Sequence, residues 1–279
     1  MLDLTKIPDG FLDPITRVVE AILDIAGDLV PDDVMLVGAT CRDVLHTALG
    51  HTFATTATQD LDVALALSSW DAFRSIASSF PSVEKTGIRF RIADVAVDLL
   101  PFGAIEDPQG FVEPPSRHEA MSVWAFDEIF AASFPLPLSP TITIRIPTPA
   151  GFAAAKLGAW LDRSAWRETK DAPDLALTLH WYNESAKVTD RLYETVKGNA
   201  ILVAEGSDVP LSAAHLLGRD VAATIGRDRV AELLSRWPGD HELLVRELTL
   251  RGGPAWPQDL DRRRNILDAL TRGLKLANG

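Results

Sequence analysis

A chain of 279 residues with 47% hydrophobic content is long enough to bury a sizeable core and to hold two domains. A net charge of −12 argues against a generic nucleic-acid coat, whose affinity comes from clustered Lys and Arg. A single cysteine, Cys41, excludes an internal disulfide, and no apolar run is long enough to span a bilayer.

The N-terminal segment has a lone early Lys6 among acids and does not look like a signal peptide, so the expected location is cytoplasmic, with no membrane partner. Phe11 to Leu29 carries Ile15, Val18, Val19, Ile22 and Ile25 with Arg17, Glu20 and Asp24 between them, which predicts an amphipathic helix. Asp32-Asp33 reads as a turn feeding a short buried strand near 34–38. Gly38 and the small Ala39 allow the backbone to approach a ligand closely. From Cys41 to Leu49, Val44, Leu45, Ala48 and Leu49 fall at helical spacing, and Gly50 stops the helix. Strand, small-residue turn and helix N-terminus together make a place where amide N–H groups can bind phosphate oxygens.

A Thr/Ala-rich loop from Gly50 to Thr58 leads to a strand over 60–67, and Trp70 to Phe80 reads as a helix with Phe73, Ile76 and Ala77 on one side. Arg89 to Ile92 and Val95 to Leu100 form two strands joined tightly at Ala93-Asp94. Pro101 to Pro115, rich in Pro and Gly, is expected to be a loop placed to cover a site. Thr141 to Ile146 alternates as a half-buried strand, and Pro147-Thr148-Pro149 punctuates the chain. Everything after Pro149 reads as helical, with a turn at Glu205 to Pro210. The expected architecture is an α/β (α+β) domain with a small mixed sheet over 1–146 and a helical domain over 147–279. There is no internal repeat and no low-complexity tract.

The chemistry points to the acids. Asp60 and Asp62 flank Leu61 inside the apolar run that ends at Leu67. Alternate strand residues point the same way, so the two carboxylates project together. Carboxylates that close repel each other, and a hard dication relieves the repulsion. Mg²⁺ does so through one or two carboxylates plus substrate phosphates. Asp98, in Val95-Ala96-Val97-Asp98-Leu99-Leu100, adds a third acid on a second strand-like run. The bland alternative is that Asp60 caps a loop and Asp62 lies on a solvated strand face.

Four pieces now stand in order: Gly38-Ala39-Thr40-Cys41-Arg42-Asp43, Thr58-Gln59-Asp60-Leu61-Asp62, Val97-Asp98-Leu99-Leu100-Pro101-Phe102-Gly103, and Lys156 with Lys170-Asp171-Ala172-Pro173-Asp174-Leu175 after it. In this order they resemble the DNA polymerase beta superfamily of nucleotidyltransferases. More narrowly, the chain is similar to the bacterial nucleotidyltransferases of the abortive-infection toxin group (AbiEii-like), some of which are toxins of toxin–antitoxin pairs. The likeness covers about residues 30 to 180. One departure is Gly38-Ala39 where the family has Gly-Ser or Gly-Gly, which leaves Thr40 as the nearest hydroxyl.

The resemblance implies a nucleotidyltransferase catalytic domain whose cleft receives Lys and Asp from the helical domain. It makes Asp60, Asp62 and Asp98 the catalytic residues and the ligands of Mg²⁺ or Mn²⁺. It assigns Gly38, Ala39, Thr40, Arg42, Lys156, Asp171 and Asp174 to nucleotide binding. An NMP would pass from an NTP to an acceptor hydroxyl with release of pyrophosphate, the acceptor being an RNA such as a tRNA 3′ end, with an antitoxin protein as a further partner. The alternatives are a small-molecule nucleotidyltransferase of the aminoglycoside-modifying kind, or a non-catalytic NTP-binding module.

Each residue also has a plainer reading. Lys156, among small and apolar residues, either snorkels from a helix edge or points into a cleft. Asp171 could cap the next helix, and Arg42 could pair with Asp43. Arg145, Lys156, Arg163, Arg167 and Lys170, and separately Arg262, Arg263 and Arg264, either line a local groove for an RNA end or lie on solvated helix faces. Cys41 has no accompanying His or Asn motif and is expected to pack. The histidines show no metal-ligand spacing, and only His118, just past the covering loop, stays in view. Trp124, Trp160, Trp166 and Trp181 are expected to be packing residues. No Gly-Lys-Ser/Thr phosphate loop and no Gly-x-Gly-x-x-Gly is present.

Overall fold

The computed structural model describes residues 2–56, 60–83, 85–117, 119–237, 239, 241–250 and 256–276. Thr58, Gln59 and His118 lie outside the described residues. The chain divides into two compact units, Met1–Thr52 with Thr56–Thr148, and Phe53–Thr55 with Pro149–Gly279. The main break comes after Thr148, two residues past the expected 146/147, and a short piece of the expected 50–58 loop belongs with the helices. That piece is anchored by Phe53, whose ring meets His180 edge-on at 5.5 Å.

The first unit runs α1 (Asp13–Ile25), β1 (Val34–Val37), α2 (Gly38–Ala48), β2 (Asp60–Leu67), α3 (Trp70–Ser79), β3 (Arg89–Ile92), β4 (Val95–Gly103), β5 (Phe111–Val112), β6 (Met121–Ser122), α4 (Phe126–Ala131), β7 (Phe134–Pro137) and β8 (Thr143–Ile146). Six strands form one mixed sheet in the order β3-β4-β2-β1-β8-β7, and β5 and β6 pair separately. β2 and β4 run parallel, whereas β1 is antiparallel to β2 and β3 to β4. The centre of the sheet is fully buried, with Met35, Leu36, Val63, Leu65, Val97 and Leu99 inside.

Local chemistry accounts for most boundaries. α1 starts with Pro14 in its first turn and ends at Ile25, short of the expected Leu29, because Ala26 leaves helical geometry just before Gly27. The β3–β4 turn consists of Ala93 and Asp94, both with positive φ (48° and 65°), as a tight two-residue hairpin of right-handed twist requires. β4 continues through Pro101 to Gly103, where a loop was expected. Pairing with β3 ends at Asp98, so at Pro101 the missing N–H faces no strand. The remainder of that expected loop contains β5, which pairs with β6 beyond its end. α4 and β7 were not among the expected elements. β7 carries exposed Pro135 and Pro137 around buried Leu136, a pattern suited to an edge strand.

The regular secondary structure among the described residues of the second unit is helical: α5 (Pro149–Arg163), α6 (Ala172–Glu184), α7 (Ala186–Glu194), α8 (Val196–Ala204), α9 (Val209–Arg236, interrupted at Gly226 with φ 77°), α10 (His241–Glu247) and α11 (Leu260–Leu276). α9 and α11 pack backbone on backbone. A Cβ on Gly218 would strike the Leu270 carbonyl, and one on Gly273 the His215 carbonyl. No helix of the described residues is long and apolar enough to cross a membrane.

A carboxylate row beside an uncapped helix start

One transverse row crosses the sheet of the first unit. Arg89 on β3 is the register partner of Asp98 on β4, Asp98 of Asp62 on β2, and Asp62 of Val37 on β1, immediately before Gly38. Register partners point to the same side of a sheet, and Asp60 shares that side because it stands two residues before Asp62. The strands therefore bring Asp60, Asp62 and Asp98 together at the end of β2, each half-buried.

Arg89 was not among the expected site residues. Its Nε donates to Asp98 Oδ1 at 2.7 Å and its Nη2 to Asp98 Oδ2 at 2.7 Å, a bidentate pair. The same Nη2 also reaches Asp60 Oδ2 at 3.1 Å. The signal was present in the sequence: a two-residue turn at 93–94 fixes the pairing of 92 with 95, and counting back sets 89 opposite 98.

On the other side of the row, Gly38 lies directly against Asp62. An added Cβ would lie 2.7 Å from Asp62 Cβ and 2.5 Å from its Cγ, and closer still to Oδ2. Its φ of 66° also belongs to the left-handed region that favours glycine. The expected turn is reduced to one residue: left-handed Gly38 turns the chain from β1 directly into α2, and Ala39 and Thr40 follow in the helix's first turn. Val37 at the N-cap provides no side-chain cap, and no acid occupies that turn. The half-exposed start of α2 therefore presents backbone N–H groups beside the carboxylates. Arg42 is buried on this helix; its Nε donates to Asp43 at 2.9 Å and its Nη2 to the Thr56 carbonyl at 2.6 Å. Cys41 is fully buried, as packing requires.

Carboxylate oxygens are the donor type that a hard divalent ion takes, and Arg89 already joins Asp60 to Asp98. As folded, no three Asp, Glu, His or Cys residues among the described ones form a group that could hold a metal ion.

Lys156, Asp171 and Asp174 also meet one another, within the helical unit. Lys156 Nζ lies 2.6 Å from Asp174 Oδ2 and 3.5 Å from Asp171 Oδ1, and 5.3 Å from the centre of the Phe152 ring. Burial alone would push this ammonium down, but Asp174 and Asp171 outweigh it and hold it above its ordinary value. Asp171 stands at the N-cap position of α6 without capping it, since its carboxylate also binds Arg163 Nη1 at 2.9 and 3.0 Å. Lys156 is thus neither snorkelling nor unpaired.

Most of the expected basic residues are engaged internally, whereas Arg167 and Lys170 are exposed. Arg145 binds Asp32 at 2.7 Å, Arg262 grips Asp208 with both terminal nitrogens, buried Arg263 donates to the Pro257 and Arg246 carbonyls, and Arg264 binds Glu242 and Asp261. Trp124, Trp160 and Trp181 are buried, but Trp166 is 81% exposed, in the 3₁₀ turn after α5.

Compared with known proteins, the chain matches no family model and no curated protein.

Proposed function

We propose that the protein is a divalent-metal-dependent nucleotidyltransferase that moves an NMP from an NTP to an acceptor hydroxyl. The observation that carries this reading is the contact of Gly38 with Asp62, which sets an uncapped helix start against a row of carboxylates. Anionic phosphates favour helix N-termini, and the acids next to them need positive charge. An enzyme that handles a metal–triphosphate complex needs both features side by side.

Asp60, Asp62 and Asp98 would hold Mg²⁺ or Mn²⁺, which supplies neutralising charge to the triphosphate and the departing pyrophosphate. The amides of Gly38, Ala39 and Thr40, with the Thr40 hydroxyl, bind the β and γ phosphates. Arg42 steadies this turn through Asp43 and the Thr56 carbonyl and adds positive charge behind it. An Asp98 carboxylate oxygen takes the proton of the acceptor hydroxyl while that oxygen bonds to the α phosphorus and the bond to pyrophosphate breaks. Lys156, Asp171 and Asp174 enter the proposal as nucleotide-binding residues on the family resemblance alone, as does an antitoxin partner.

RNA is the acceptor that the resemblance suggests. A cationic small molecule is the second reading, favoured by the internal pairing of Arg145 and Arg262–Arg264 and by the net charge of −12. Incubation with Mg²⁺ and each α-labelled NTP, with either total cellular RNA or a panel of aminoglycosides, separates the two. Label in a discrete RNA band selects RNA, and label on an aminoglycoside selects the second reading. Nucleotide binding with transfer to neither contradicts the transferase proposal and leaves a binding module.

A further inference from the structure

The carboxylate row already contains a cation of its own. Arg89 holds Asp98 with two hydrogen bonds of 2.7 Å and reaches Asp60 at 3.1 Å, so one guanidinium ties the acid of β4 to the first acid of β2. These are oxygens that a divalent ion would need. A guanidinium and a metal ion cannot both take the same lone pairs, and a bidentate arginine–carboxylate pair is among the stronger polar contacts a protein makes.

The setting favours exchange by the side chain alone. The Arg89 backbone is fixed on both sides: its N–H donates to Thr86 Oγ1 at 3.2 Å, and its carbonyl accepts from the Val83 N–H at 3.0 Å. Its strand is the edge of the sheet, however, and both the Arg89 and Asp60 side chains are partly open to solvent, at 23% and 40%. Solvent therefore reaches the Arg89 and Asp60 side chains with β3 in place in the sheet.

We infer that Arg89 is the internal counter-cation of this row, and that a divalent ion reaching Asp98 and Asp60 displaces its guanidinium. The inference rests on the metal-holding role proposed for the three acids. Arg89 is then a positioning residue that sets how tightly the site takes its metal and keeps the acids neutralised until the ion arrives. Competition for shared oxygens is a coupling free energy between the two cations, and removing one raises the affinity for the other.

The test measures Mn²⁺ affinity by electron paramagnetic resonance, on the full chain without nucleotide, for the wild type, Arg89→Met, Arg89→Lys and Asp62→Asn. Arg89→Met is expected to bind Mn²⁺ about 5–150-fold more tightly, the usual range of such couplings. Arg89→Lys, whose point charge cannot grip two carboxylates as a planar fork does, should fall between it and the wild type. If Arg89→Met does not fold, the lysine variant alone decides by the same criterion. Equal or weaker Mn²⁺ binding by the arginine variants, with Asp62→Asn impaired, overturns the inference and leaves the metal site standing. Wild type and Asp62→Asn binding Mn²⁺ alike would overturn the metal role of the acids and this inference with it.

Discussion

Replacing Gly38 by alanine tests the contact on which the site is built. The new Cβ would lie 2.7 Å from Asp62 Cβ and 2.5 Å from Cγ, so rotating the carboxylate away does not clear it, and β2 or the start of α2 has to shift. The φ of 66° adds the cost of a left-handed residue. That conformation costs about 1–2 kcal/mol, and overpacking about 1–3 kcal/mol more, so Gly38→Ala should lose about 2–5 kcal/mol. For a unit of this size that is a fall of about 5–15 °C in the melting temperature of the first unit, read by calorimetry. All three of the nearest atoms belong to the Asp62 side chain, so in an Asp62→Gly background the steric part vanishes and only the backbone part remains. The double-mutant cycle should therefore give a coupling of about 1–3 kcal/mol. Additive effects, or a Gly38→Ala protein as stable as the wild type, would refute the close packing of helix start on carboxylate.

Other predictions concern the helical unit. Lys156→Met removes the cation 2.6 Å from Asp174 while Asp171 keeps Arg163, so the cost in urea unfolding should reach at most about 3–5 kcal/mol, the range for breaking a buried pair. The Lys156 value is raised, so its stabilisation is complete below the ordinary 10.5 and is lost only as pH climbs through the folded value. The wild-type-minus-variant difference should hence stay flat from about pH 7 to 9, below the lysine range, and a decline across that window would contradict the assignment. Burial pushes the Tyr182 phenol well above its usual value, reinforced by Asp220, to which its hydroxyl donates at 2.8 Å. Alkaline titration monitored in the ultraviolet should show a late-ionising tyrosine that Tyr182→Phe removes. Trp160→Ala should cost about 3–5 kcal/mol by cavity formation, whereas exposed Trp166→Ala should stay within about 0.5 kcal/mol. Equal costs for the two would mean that the turn after α5 is packed.

The limits of β2, at Asp60 and Leu67, and the β3–β4 hairpin were legible because their signals are local: an apolar run, and two strand-like runs separated by only Ala93-Asp94. The acids were legible because charge in an apolar strand is conspicuous. Arg89 was legible only through the hairpin register, which sets it opposite Asp98; taken alone, an arginine on a short strand looks like a solvated face. Pro101 suggested a loop, since nothing near it in sequence reveals that β3 ends before reaching it. β7 was hidden by Pro135 and Pro137, which only an edge position tolerates. Arg262 to Arg264 suggested a basic groove because three of their partners, Asp208, Glu242 and the Arg246 carbonyl, are distant in sequence, although Asp261 and the Pro257 carbonyl are near. Long-range pairing decides what a charge does, and local pattern does not contain it.

The most direct test of the central claim is release of pyrophosphate from NTP in the presence of Mg²⁺ and acceptor, comparing wild type with Asp98→Asn and confirming equal folding by circular dichroism. Removal of a positioned proton acceptor should lower the rate by about 10²–10⁴-fold. An Asp98→Asn protein that releases pyrophosphate at the wild-type rate would contradict the assignment of the carboxylate row to nucleotidyl transfer.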